Sequence, residues 1–135
     1  MIVTTSRDPS AKARRFARAL ASFLSLPYVN RGKQKPEESE TWLVVVEGHG
    51  DPHGLVKRSQ GIEEKITFRL SLEPKRVHIK KISATVTGEQ ERAMPIARFF
   101  GLDWSEDAPK RTVAVTSGQI DFIDEGEVVF RLKLC

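Results

Sequence analysis

At 135 residues, with 39% hydrophobic and 30% charged residues, the chain has the size and composition of one soluble domain and lacks the run of roughly 18 apolar residues that a membrane span needs. Its single cysteine, Cys135, excludes an internal disulfide and a cysteine-rich zinc site. The net charge of +4 is unevenly spread: residues 1–35 hold eight Lys/Arg against one acid, Asp8, while the rest hold fourteen against seventeen, so a basic first third sits on a mildly acidic body, the footprint of a polyanion binder.

The opening Met1-Ile2-Val3-Thr4-Thr5-Ser6-Arg7 turns polar before an apolar leader could form, which predicts a cytoplasmic protein. Ile2 to Thr5 reads as a short β-branched strand, and Ser6-Arg7-Asp8-Pro9-Ser10 as a turn rich in helix-capping residues. From there to about Ser25, Ala13, Phe16, Ala17, Leu20, Phe23 and Leu24 fall on one stripe at helical spacing, with Arg14, Arg15 and Arg18 roughly opposite it. Pro27 ends the helix, and residues 30–40 form a polar loop. Trp42-Leu43-Val44-Val45-Val46 is a continuous apolar run that predicts a strand covered on both faces and central in its sheet. Gly48 to Gly54 is a glycine-rich turn, followed by strands at Leu55-Val56 and at Ile66 to Leu72, the second alternating apolar and polar residues.

A second cycle begins with an extended segment near Val77 to Val86 and a helix near Glu89 to Phe100, whose buried stripe is Ala93, Ile96, Ala97 and Phe100 and which Pro95 disturbs locally. Strands at Val113 to Val115, Gln119 to Ile123 and Val128 to Leu134 complete the chain, the last two joined by a hairpin turn at Asp124-Glu125-Gly126-Glu127. The order strand, helix, several strands occurs twice, which predicts one α/β domain over 1–135 built of two halves of similar plan, 1–74 and 75–135, with no residue-level repeat evident between them.

Thr4-Thr5-Ser6-Arg7-Asp8-Pro9-Ser10, the basic helix behind it and Tyr28-Val29-Asn30-Arg31-Gly32-Lys33 together resemble the N-terminal signature of the Brix-domain family of ribosome-biogenesis proteins. The resemblance covers about the first 33 residues, and the order of elements agrees over the rest. It implies two similar halves, each a mixed sheet with a packed helix akin to the anticodon-binding domain of class II aminoacyl-tRNA synthetases. It also implies binding of precursor ribosomal RNA during subunit assembly, alongside other assembly proteins, with no catalysis and no cofactor. The chain departs from the family pattern at Pro36-Glu37-Glu38-Ser39-Glu40, which leads almost directly to the Trp42 strand where members commonly continue into a helix. It also lacks the long charged extensions of nucleolar members, and so looks like the short, stand-alone archaeal form.

Arginine's planar fork holds phosphate at two points and stacks on bases, which suits Arg14, Arg15 and Arg18 to RNA; the plain alternative is a solvated helix face. Arg7 lies beside a helix N-terminus that favours an anion, or else serves as a buried partner for a carboxylate. Asn30, Arg31, Gly32 and Lys33 form a basic loop in which glycine lets the backbone approach phosphate, and Lys12 and Lys35 complete the set. Lys75, Arg76, Lys80 and Lys81 either extend the RNA track or protect an edge strand from aggregation. Two other functions fit the letters. A tRNA-binding adaptor would use the same halves. A metal-dependent hydrolase would use His49, Asp51 and His53, although no further ligand-rich segment accompanies them.

Overall fold

The chain opens, in a computed structural model that describes residues 1–30, 40–74, 82–107 and 109–135, with strand β1 (Ile2–Thr5). A turn follows in which Asp8 takes a left-handed backbone conformation (φ 52°). Ser10 then caps helix α1 (Ala11–Leu24), its hydroxyl accepting from the Ala13 amide. Three antiparallel strands come next, β2 (Trp42–Gly48), β3 (Asp51–Ser59) and β4 (Ile62–Leu72). The second cycle runs β5 (Thr85–Gly88), α2 (Gln90–Phe100), β6 (Asp103–Trp104), β7 (Arg111–Thr116), β8 (Gln119–Asp124) and β9 (Glu127–Leu134). Helix α2 continues through Pro95 without a break.

These strands form one sheet in the order β1-β2-β3-β4-β9-β8-β7-β5-β6. Each half places its first strand parallel to the strand that opens its meander, β1 on β2 and β5 on β7, and then folds back antiparallel, with the short β6 lying parallel to β5 on its other side. The halves meet where β4 runs antiparallel to β9, with Phe68 opposite Leu134. Both helices lie on one face: Phe23 of α1 packs edge-on against Phe122 and Phe130, and Phe100 of α2 packs against Phe122 as well. One core results, filled from the strands by Val3, Leu43, Leu55, Phe68, Val113, Ile120 and Leu132.

The Trp42 strand is not central. β2 is second from one edge, and the middle position belongs to β9. Burial misled the expectation: Trp42, Leu43, Val44 and Val45 are all at most 3% exposed although only β1 lies outside them. β3 and β4 are longer than their apolar stretches, and they meet at a tight turn where Gln60 and Gly61 both have positive φ (49° and 80°), as a two-residue hairpin that follows strand twist requires.

The structure also exposes a residue-level repeat. Ala17-Arg18-Ala19-Leu20-Ala21-Ser22-Phe23-Leu24-Ser25-Leu26-Pro27-Tyr28 aligns without a gap on Ala93-Met94-Pro95-Ile96-Ala97-Arg98-Phe99-Phe100-Gly101-Leu102-Asp103-Trp104, with identical residues at Ala17/Ala93, Ala21/Ala97, Phe23/Phe99 and Leu26/Leu102. Both helices end at a left-handed cap, Ser25 and Gly101, and the leucine amide after each cap returns to the alanine carbonyl four residues before the cap at 2.9 Å. The aromatic residue two further on then lies parallel to the first strand of its half, Tyr28 beside Val3 and Trp104 beside Val86.

Candidate nucleic-acid interface

Helix α1 has no acid in its first turn and no base in its last, and both of its ends are held from the sheet. At the N-terminus the Glu47 carboxylate accepts from the Ser10 amide (2.9 Å) and from the Ser10 hydroxyl, placing negative charge at the positive end of the helix dipole. At the C-terminus the fully buried Arg111 donates from Nη1 to the Ser22 and Phe23 carbonyls, at 2.8 Å each, and pairs with Asp124 at 3.4 Å. The exposed middle of the helix is thereby left without a capping role.

That middle carries Arg14, Arg15 and Arg18, all exposed, and among the described residues none of the three forms an ion pair. Arg14 makes one long bond to the Pro9 carbonyl (3.5 Å). Its spacing to Arg18 is the i, i+4 spacing at which like charges cost about 0.2–0.5 kcal/mol, so the arrangement opposes helix stability. Arg18 lies over the ring of Tyr28, with its guanidinium carbon 5.4 Å from the centroid. The Tyr28 hydroxyl is buried without a hydrogen-bond partner among the described residues. Two residues beyond it Asn30 is exposed. The helix face and the start of the asparagine segment are therefore one continuous surface, joined by a stacking contact that periodicity in the sequence does not reveal.

The other predicted residues are less alike. Arg7 is exposed on the turn before α1 and forms no ion pair among the described residues, which removes the buried-partner alternative. The anion position at the helix N-terminus beside it is filled by Glu47. Lys12 pairs with Asp51 at 3.1 Å and with Glu73 at 3.8 Å. The hydrogen bond and charge of Asp51, with Glu73 behind it, raise the Lys12 ammonium above its ordinary value. Its charge is already met in part, unlike that of the three arginines. Arg31, Gly32, Lys33 and Lys35 lie outside the described residues, as do Lys75, Arg76, Lys80 and Lys81.

The His49, Asp51 and His53 grouping does not converge. His49 sits exposed at a hairpin tip with φ 53°, the Asp51 carboxylate is turned to Lys12, and the His53 ring lies against Gly48. Among the described residues no group of three His, Cys, Asp or Glu side chains is placed to hold a metal ion. No helix among them is long and apolar enough to cross a membrane.

No protein-family model matches the sequence. The chain is 30% identical to a probable Brix domain-containing ribosomal biogenesis protein of Methanosarcina mazei, over 99% of this chain and 96% of that protein. It is 27% identical to a protein of the same description in Methanosarcina barkeri, again over 99% of this chain and 96% of the other. The solved structure of Mil, an archaeal Imp4-like protein, superposes with a TM-score of 0.80 at 25% identity, covering 99% of this chain and 96% of that one. A probable ribosomal biogenesis protein from Aeropyrum pernix shares the fold, with a TM-score of 0.64 at 17% identity, covering 98% and 93%. With likeness in sequence over 99% of the chain and the same fold, the chain belongs to the Brix-domain family of ribosome-biogenesis proteins.

Proposed function

We propose that the protein binds precursor ribosomal RNA through the arginine face of α1 and the adjoining segment from Asn30 to Lys35, and assists the folding, pairing or processing of that RNA without itself making or breaking a bond. In this reading 1–135 acts as one domain of two halves, 1–74 and 75–135, in an archaeal-type cytoplasm, alongside other assembly proteins. The observation that carries it is the set of three exposed arginines, without an ion pair among the described residues, on a helix whose ends are capped from elsewhere, with Arg18 stacked on Tyr28 two residues before Asn30. Arg14, Arg15 and Arg18 hold phosphates, Arg7 and Lys12 flank them, and Asn30, Arg31, Gly32, Lys33 and Lys35 approach the backbone or a base edge. Lys12 contributes less than the arginines because a phosphate must compete with Asp51.

Arg14→Glu combined with Arg18→Glu is expected to abolish binding at the α1 face, read as an at least tenfold loss of affinity for a precursor ribosomal RNA transcript, while leaving the circular dichroism spectrum and melting temperature unchanged. The milder Arg14→Ala with Arg18→Ala should lower the slope of log affinity against log salt by about 1.5, as expected for two lost phosphate contacts. Equal affinity of the folded double glutamate variant and the wild type would defeat the assignment. Crosslinking in native cells, followed by sequencing of the attached RNA, should enrich ribosomal precursors; a profile dominated by tRNA would support the adaptor function instead.

A further inference from the structure

The face of the sheet away from both helices carries a second group of cations on three adjacent strands, β3, β4 and β9. Along β4 the residues that alternate with Ile66, Phe68 and Leu70 are Lys65, Thr67 and Arg69, all three exposed. On β9 Arg131 and Lys133 flank the buried Leu132, and on β3 Arg58 stands on the same side as Val56, which pairs with Lys65. Among the described residues the two carboxylates in this part of the face are already engaged, Glu63 with Arg58 at 2.9 Å and Asp121 with Arg131 at 2.6 Å. Lys65, Arg69 and Lys133 form no ion pair among the described residues. Arg69 and Lys133 are moreover direct cross-strand neighbours, an arrangement of like charges that works against sheet pairing and that an anion lying across both would relieve.

We infer that this face binds the sugar–phosphate backbone of a base-paired RNA segment, so that the chain can hold one RNA on α1 and a second on the far side of its sheet. The second surface stands on its own residues; the statement that two RNAs are held rests on the α1 reading above. Charge complementarity selects a polyanion, and the lack of exposed stacking platforms among the described residues selects its form. Phe68, Phe122 and Phe130 are turned to the helix side and buried, and Trp42 of β2, which shares the far side with Arg58 opposite it, is only 3% exposed, so that among the described residues this face offers no exposed ring beside the cations. Single-stranded RNA is commonly gripped by stacking bases on aromatic rings, whereas a duplex is recognised largely through its backbone and shape. Because the α1 arginines and the sheet cations lie on opposite sides of one rigid layer, two RNA segments would be held at a fixed separation, which supplies a physical means of assisting RNA pairing.

The test is the stoichiometry of a short dye-labelled RNA duplex on the full chain, measured by analytical ultracentrifugation at low salt and saturating RNA. Two duplexes per chain are expected for the wild type and one for Arg69→Glu with Lys133→Glu. Two duplexes on that variant would overturn the inference, as would complete loss of binding by a variant that remains folded. If Arg14→Glu with Arg18→Glu keeps both duplexes while the sheet variant loses one, the α1 assignment fails and the sheet surface stands. Arg69→Glu alone places opposite charges across the β4–β9 pair and is expected to raise the melting temperature while weakening duplex binding. A lowered melting temperature would show these cations to be structural and would overturn the proposal.

Discussion

The two halves of the molecule repeat each other closely where they are buried and differ where they are exposed. Ala17, Leu20, Ala21, Phe23 and Leu26 in the first half stand where Ala93, Ile96, Ala97, Phe99 and Leu102 stand in the second, each held by the same helix-to-strand geometry. The positions of Arg14, Arg15 and Arg18 are taken in the second helix by Gln90, Glu91 and Met94. A fold that builds the same helix with either set does not need the arginines, and this separates them from the residues whose loss would simply unfold the chain. The helix caps show the same logic with a twist. Each C-terminus receives a cation from the other half, which also sits over the terminal phenylalanine: Arg111 over Phe23 at 5.3 Å and Lys57 over Phe99 at 5.9 Å. One is fully buried and paired with Asp124, while the other is partly exposed with a single bond of 3.0 Å to the Arg98 carbonyl.

Substitutions at these matched sites should break the symmetry by amounts that burial sets. Phe23→Ala removes a ring packed on both Phe122 and Phe130 and is expected to cost about 4 kcal/mol in urea unfolding; Phe99→Ala, which keeps the neighbouring Phe100, should cost about 3 kcal/mol. Equal losses would mean that the two helices contribute to the core alike. Arg111→Ala strips two α1 carbonyls and Asp124 of their buried guanidinium, for an expected loss of about 3 kcal/mol. Lys57→Met at the corresponding cap should cost only about 0.5 kcal/mol, and a comparable loss at both would refute the contrast between the caps. Between these extremes, Ser10→Ala removes the α1 cap and the hydroxyl's bond to Glu47 while keeping the amide's, and should cost about 1 kcal/mol.

Much of this was legible beforehand, and what was not has physical reasons. Apolar spacing located α1 and α2 to within a residue or two, because each buries one continuous stripe. It missed the first half of β4, where Ile62, Glu63, Glu64 and Lys65 are exposed and alternation has no buried face to report. The two-residue β6 is too short to leave any pattern. The repeat stayed hidden because the offset between halves changes along the chain: Tyr28 and Trp104 are 76 positions apart, yet Val3 and Val86 are farther apart and Leu43 and Val113 closer. Only strand register makes those pairs equivalent. For the candidate site, the arginine face could be read from charge and helical phase, but the pairing of Lys12 with Asp51 joins residues on different elements, as does the stacking of Arg18 on Tyr28, and no local pattern encodes either.

The smallest expected effect on stability is also the sharpest use of the repeat. Replacing Arg14, Arg15 and Arg18 by the residues of the second helix, as Arg14→Gln, Arg15→Glu and Arg18→Met, should change stability by no more than about 0.5 kcal/mol, since the positions are exposed and the change removes an i, i+4 repulsion. RNA affinity should nevertheless fall at least tenfold. The reciprocal exchange, Gln90→Arg, Glu91→Arg and Met94→Arg, puts the same charges on the same scaffold in the other half, with Trp104 offered in place of Tyr28. If charge on a helix face is sufficient, that variant gains affinity for precursor RNA; if the segment from Asn30 to Lys35 is required, it gains only weak, salt-sensitive binding without preference among RNAs. Competition with tRNA at two salt concentrations separates these outcomes. A specific gain would move recognition from that segment to the helix, because the second half has no counterpart of it after Trp104 in sequence: Ser105-Glu106-Asp107 is acidic where Val29-Asn30-Arg31 is not.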